Sequence, residues 1–226
     1  MSDLGPPFAS GRNADVYALD GGWVLRRYRD GGDTAPEAAL MAHVAAHGYP
    51  VPEVRTADGP DLVMRRLDGP TMLGAFAAGT LALDAGARTL ADLHTRLHAI
   101  PPPAAASPGT RIVHRDLHPD NVMLTPDGPY VIDWRDAVYG PPDLDLASTA
   151  LILAEVAVDP DQPLAAAARE LLGAFLAHAG GHPTDQLDTA AAIRTTNPTL
   201  SPAEVSRLGD ATALVVYSAR GVRDLS

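Results

Sequence analysis

Over the first 67 residues apolar positions come in short alternating runs, broken by one helical stretch. "DVYAL" and "WVLRRY" read as two strands around the turn "DGG", which makes a hairpin. After "RDGGDTAP", Ala38, Met41, Ala42 and Ala45 recur at helical spacing behind an early proline and predict a helix over Glu37 to His47. The prolines in "YPVPEVRTADGP" exclude a helix, and the turn Asp58-Gly59-Pro60 leads into the strand "DLVMRRL". The order is strand, strand, helix, strand, strand.

Beyond that the pattern lengthens. Leu83, Leu90, Leu93 and Leu97 mark an amphipathic helix over Leu81 to Ile100, stopped by three prolines, and "PPPAAASPGT" is a loop. "NVML", "TPDG" and "YVIDW" then predict a second hairpin. Helices follow over Asp145 to Val158, Pro163 to Ala179, Gln186 to Thr195 and Pro202 to Arg220, with Pro/Gly turns between them. The chain reads as α+β, with a β-rich segment 1–67 and a mainly helical segment 68–226.

Composition narrows the function classes. With 226 residues, 46% of them hydrophobic, the chain can bury a core, and no apolar run reaches the roughly 20 residues of a membrane span. The N-terminus has no signal-peptide pattern, so the expected location is the cytoplasm. Cysteine is absent, which removes disulfides, Cys-ligated zinc and a thiol nucleophile. A net charge of -11 argues against nucleic acid and fits a cationic small molecule better. All 17 basic residues are Arg, so no lysine amine takes part in any mechanism.

The chemistry concentrates in "IVHRDLHPDNVMLTPDGPYVIDW", Ile112 to Trp134, which holds four Asp, two His and one Asn. Folding the second hairpin returns Asp133 toward Asn121, so Asp116, Asn121 and Asp133 are expected to converge on one cleft. An Asn and an Asp supply hard oxygen ligands of the kind Mg²⁺ takes. A further carboxylate, free of metal, can accept the proton of an attacking hydroxyl.

"HRDLHPDN" followed by "IDW" resembles the aminoglycoside phosphotransferase family of small-molecule kinases, whose pattern is H-x-D-x-H-x-x-N and then I-D-[WF]. The resemblance implies a two-lobed protein-kinase-like fold, with a small antiparallel sheet lobe in 1–67 and a helical lobe in 68–226. It implies that Asp116 is the catalytic base and that Asn121 and Asp133 are metal ligands. In "WVLRRY", alternation puts Val24 and Arg26 on one face, and Arg26 stands where the family has its phosphate-binding Lys. Glu37 is its expected ion-pair partner or else an ordinary first-turn acid. "SGRNADVYAL", with Gly11, resembles the phosphate-covering loop or is a surface turn. "LVMRRLDG" resembles the strand leading to the hinge, where the backbone around Arg65 to Leu67 would read the adenine edge.

His114 and His118 fit the motif as structural residues. Asp143 and Asp145 read as helix N-caps or as support for the metal loop. The function implied is an ATP- or GTP-dependent, Mg²⁺-requiring transfer of phosphate to a hydroxyl of an antibiotic or metabolite. The competing reading is a non-catalytic nucleotide-binding pseudokinase, motivated by Arg26. Asp136, Glu155 and Asp188 are candidate acids for an amino-bearing acceptor.

Overall fold

The computed structural model describes residues 4–104 and 106–223. In chain order the elements are β1 (Ala9–Ser10), β2 (Ala14–Leu19), β3 (Trp23–Tyr28), α1 (Ala35–Ala46), β4 (Val54–Asp58), β5 (Asp61–Arg65), α2 (Met72–Ala77), α3 (Leu83–His98) and β6 (Arg111–Val113). They continue with β7 (Val122–Thr125), β8 (Gly128–Val131), β9 (Val138–Gly140), α4 (Pro142–Val158), α5 (Ala165–His178), α6 (Leu187–Thr195) and α7 (Pro202–Arg223). Two compact units divide them. The first is Met1–Gly69 with Met123–Arg135, and the second is Pro70–Val122 with Asp136–Ser226.

In the first unit an antiparallel sheet runs in the order β1-β2-β3-β5-β4. The β2–β3 register pairs Val16 with Arg26 and Leu19 with Trp23, so Val24 and Arg26 share one face. α1 begins at Thr34, whose hydroxyl does not cap the helix but donates to Gly59 O at 3.0 Å or Asp61 O at 3.1 Å, tying the helix start to the β4–β5 turn.

The buried face of α1 is Glu37, Leu40, Met41 and Val44. This corrects the stripe of Ala38, Met41, Ala42 and Ala45. The helix is turned inward by a buried charge that hydrophobic periodicity does not count. The hairpin β7–β8 belongs to this unit, where Val131 N donates to Pro50 O at 2.8 Å and Gly69 lies against the Leu124 carbonyl.

In the second unit α4 is buried along almost its whole length, as a central helix must be when α5, α6 and α7 pack around it. α3 buries Ala87, Leu90, Leu93 and Leu97 and packs against α5. The strands β6 and β9 pair antiparallel, Ile112 opposite Tyr139. α2 and β9 fall outside the elements expected from periodicity. α2 has only six residues, although Thr71 caps it by accepting from Gly74 N at 3.1 Å. No helix among the described residues is long and apolar enough to cross a membrane.

Candidate active site

In the first unit, strand alternation separates two neighbouring arginines. Arg27 faces outward and forks onto Asp61 at 2.6 and 2.6 Å. Arg26 faces inward and is buried; its Nη1 donates to Glu37 Oε1 at 2.9 Å, and its Nη2 donates to Asp133 Oδ1. Glu37 also accepts from the Tyr28 hydroxyl and from Trp134 N at 3.1 Å.

Burial alone would lower the Arg26 pKa, yet the Asp133 and Glu37 carboxylates outweigh it and hold the guanidinium firmly protonated. For Glu37, burial wins over the attraction of Arg26, and its carboxyl sits above the usual range.

The expected strand "YVIDW" ends early, at Val131. Asp133 instead lies in the left-handed region, with φ 64°, a conformation Asp tolerates better than most residues. Trp134 fixes that turn. Its ring is 1% exposed, its indole N–H donates to Val131 O at 2.9 Å, and Tyr49 meets it edge-on at 5.6 Å. Asp133 is thus turned toward Arg26. Its second oxygen accepts no hydrogen bond among the described residues.

The other expected nucleotide residues of this unit differ in what they leave free. Gly11 N donates to Ala14 O at 2.9 Å, and a side chain there would meet only ordinary contact. Arg65 is spent on the sheet and on Trp23: its N donates to Glu53 O at 2.8 Å and its guanidinium covers the indole at 4.3 Å. Leu67 lies past the end of β5, and its backbone has no hydrogen-bond partner among the described residues.

In the second unit the motif loop follows β6. His114 is buried and its Nδ1 accepts from Asp116 N at 3.3 Å. Arg115 has φ 64°, a strained value for a residue that is not glycine, costing about 1–3 kcal/mol. Two bonds hold it: Arg115 N donates to Asp145 Oδ1 and Arg115 Nε to Asp136 O, both at 2.6 Å. His118 caps the short 3₁₀ turn Pro119–Asn121, accepting from Asp120 N at 3.3 Å. That turn delivers Asn121, whose amide nitrogen reaches Asp116 O at 2.9 Å and Asp116 Oδ2 at 3.0 Å. The Asn121 side-chain oxygen has no protein partner among the described residues.

Burial raises the Asp116 carboxyl, but His118 next to it, with His114 and Arg194 behind, brings it below the usual range. Asp116 is therefore ionised at neutral pH.

Asp143 and Asp145 do not cap α4, which has no side-chain cap. Asp143 Oδ1 accepts from His182 N at 2.8 Å, and Asp145 holds the motif-loop backbone at Arg115. Asp136 and Asp188 are exposed, while Glu155 is taken by Arg194 of α6. Arg194 lies 3.9 Å from Asp116. Nothing in the local sequence singles it out, because it comes to the loop from a helix 78 positions away.

A sequence model of the phosphotransferase enzyme family, abbreviated APH, matches residues 5–111 and 104–185. The fold is similar to that of the ADP-bound aminoglycoside phosphotransferase APH(2'')-Ib, with a TM-score of 0.54 at 15% identity over 93% of each chain. It is also similar to the gentamicin complex of APH(2'')-IIa, with a TM-score of 0.58 at 14% identity over 96% of this chain and 90% of that one. A choline/ethanolamine kinase family protein from Mesorhizobium loti gives a TM-score of 0.57 at 16% identity over 97% and 94%. No curated protein matches the chain in sequence.

Proposed function

The chain belongs to the phosphotransferase enzyme family, and we propose that it moves the γ-phosphate of ATP or GTP to a hydroxyl of a small molecule, such as an aminoglycoside-type antibiotic or an amine-bearing metabolite, in the cytoplasm. The observation that carries this reading is the hydrogen-bonded pair Asp116 and Asn121. One amide nitrogen fixes both the backbone and the carboxylate of Asp116, and the amide oxygen is left over. Asp116, ionised, accepts the acceptor's hydroxyl proton while that oxygen bonds to the γ-phosphorus and the bond to the leaving nucleoside diphosphate breaks.

The residues present fit Mg²⁺, since Asn121 Oδ1 and Asp133 Oδ2 are hard oxygen donors without a protein partner among the described residues. Each is of the kind that would ligate such an ion, which when bound neutralises charge on the phosphates. Segment 1–67 handles the nucleotide. Arg26, oriented by Glu37, positions the phosphates, and Gly11 lies in the covering turn. Among Arg65 to Leu67 it is the free backbone of Leu67 that is available to a base edge, because the Arg65 N–H is used by Glu53. Segment 68–226 supplies the motif loop and binds the acceptor.

Nucleotide consumption against a panel of amino sugars, amino alcohols and sugars tests the reading. Consumption should depend on one acceptor class and fall by about 10²–10⁴ in Asp116→Asn. Nucleotide binding should survive in that variant but lose its metal dependence in Asp133→Ala. Equal loss of affinity in both would show the roles misassigned. The bond from Arg26 to Asp133 favours a second reading, a nucleotide-binding module without turnover. Tight nucleotide binding with no consumption on any acceptor would establish it.

A further inference from the structure

Two backbone groups flanking Asp116 are anchored to α4. Arg115 N donates to Asp145 Oδ1 at 2.6 Å, and Leu117 O accepts from Thr149 Oγ1 at 2.7 Å. His94 of α3 stands between the anchors, with Nδ1 3.2 Å from Asp145 Oδ2 and Nε2 2.9 Å from Thr149 Oγ1. His94 is 1% exposed, and Asp145 and Thr149 are fully buried.

The protons along these bonds can be counted. Two oxygens 2.7 Å apart need a hydrogen between them, and of Leu117 O and Thr149 Oγ1 only the hydroxyl carries one. That hydroxyl has then no proton left for His94, so His94 Nε2 must be the donor. On the other side Asp145 is a carboxylate. Its Oδ1 accepts from Arg115 N at 2.6 Å, and its Oδ2 is shared by His94 Nδ1 at 3.2 Å and His98 Nε2 at 3.0 Å, contacts of which a protonated acid could supply a hydrogen to only one. A carboxylate only accepts, so His94 Nδ1 must donate as well. We propose that His94 is a buried imidazolium whose two N–H groups tie together the two backbone anchors of the loop holding Asp116.

The charges close. Imidazolium and carboxylate neutralise each other inside the second unit, His98 Nε2 adds a further bond to Asp145 at 3.0 Å, and the Phe175 ring lies 5.7 Å from the His94 ring. The ligand atoms of His94, His98 and Asp145 lie within 4.8 Å of one another, close enough for a metal ion. A ring nitrogen that bears a proton offers no lone pair to a metal, and the bonding here is complete without one.

His94 is thus a positioning residue, acting on Asp116 through Asp145 and Thr149. Its effect on turnover rests on the phosphotransferase reading above, whereas its protonation does not. Nitrogen NMR of the full chain labelled in its eight histidines, at neutral pH, decides the matter, with the His94 signals identified by their loss in His94→Gln. Both ring nitrogens should be protonated in the parent, and only Nδ1 in Thr149→Val, where Nε2 loses its acceptor. Backbone amide exchange at Arg115 to Leu117 should rise at least tenfold in His94→Gln, with α7 unchanged. Where turnover is present, kcat should fall and the nucleotide KM stay within about twofold. A neutral His94 ring in the parent would overturn the proposal, as would a His94 nitrogen signal moved by added Zn²⁺. An inactive parent with a doubly protonated His94 would count against the proposed function alone.

Discussion

Arg194 grips Glu155 through Nε and Nη2 at 2.8 and 3.1 Å and leaves Nη1 3.9 Å from Asp116. Glu155 is therefore already neutralised and is not a free acid for an amino-bearing acceptor, and a cation stands beside the proposed base. Glu155→Gln should cost about 1–2 kcal/mol in urea unfolding, the range for losing one partner of a part-buried charged hydrogen bond. An unchanged unfolding midpoint would mean that the fork contributes nothing to the fold.

Arg26 makes the sharper case. One guanidinium serves Glu37 and Asp133 with separate nitrogens, so Arg26→Ala leaves Glu37 buried without its cation and should destabilise by about 3–5 kcal/mol. Arg26→Lys offers one compact ammonium in place of a planar fork and should recover only part of that loss. Arg27→Ala, on the exposed face, should cost no more than about 1 kcal/mol. Thermal unfolding of the three variants ranks them; a larger loss from Arg27 than from Arg26 would contradict the strand register.

Two buried carboxyls give stability opposite pH slopes. Asp145 is depressed, so its contribution is complete above about pH 4, where the unfolded group is already ionised, and is lost as pH falls below that value. Glu37 is raised, so its charged form weighs against the folded state once pH exceeds its folded pKa, and that penalty eases as pH falls toward its unfolded value of about 4. Asp145→Asn should remove part of the acid-induced fall in stability, and Glu37→Gln should remove part of the decline that sets in as pH rises from about 4 to the folded pKa of Glu37. Urea unfolding from pH 3 to 8 measures both; parallel curves for parent and variants would refute the assignment.

Gly69 has φ 146°, and a Cβ there would fall 2.0 Å from the carbonyl oxygen of Leu124. A backbone oxygen cannot swing aside as a side chain would. Gly69→Ala should therefore lower stability by about 3 kcal/mol or more, combining strain and displacement of β7. Gly11→Ala, with 3.8 Å of clearance and no positive φ, should change it by less than about 1 kcal/mol. Similar melting temperatures for the two variants would rule out this contrast.

What the sequence made legible was local. Period-two alternation in "WVLRRY" separates Arg26 from Arg27, and the short spacing from His114 to Asn121 defines a loop whose last three residues close in one 3₁₀ turn. The kinase-like α+β fold followed from the order of elements and the motif. What stayed hidden depends on partners distant in the chain. The inward face of α1 is set by Glu37 meeting Arg26, Asp133 leaves its strand because Trp134 is drawn into the core, and Arg194 and Thr149 reach the loop from separate helices, with His94 behind Thr149 from a third. Side-chain periodicity carries no record of such pairings.

The first unit is discontinuous in the chain, since Met123–Arg135 complete what Met1–Gly69 begin. On a ribosome the sheet emerges first and must wait while all of Pro70–Val122 is made before Trp134 can meet Tyr49 and Val131 can close on Pro50. During that interval the surface around Tyr49 and Pro50 stays uncovered, the condition under which partly made chains seek chaperones or one another. A chain ending at residue 69 holds the same unfinished surface permanently, so it should come from cells aggregated, where one whose residue 69 is joined by a short glycine-serine linker to residues 123–135 should stay in solution.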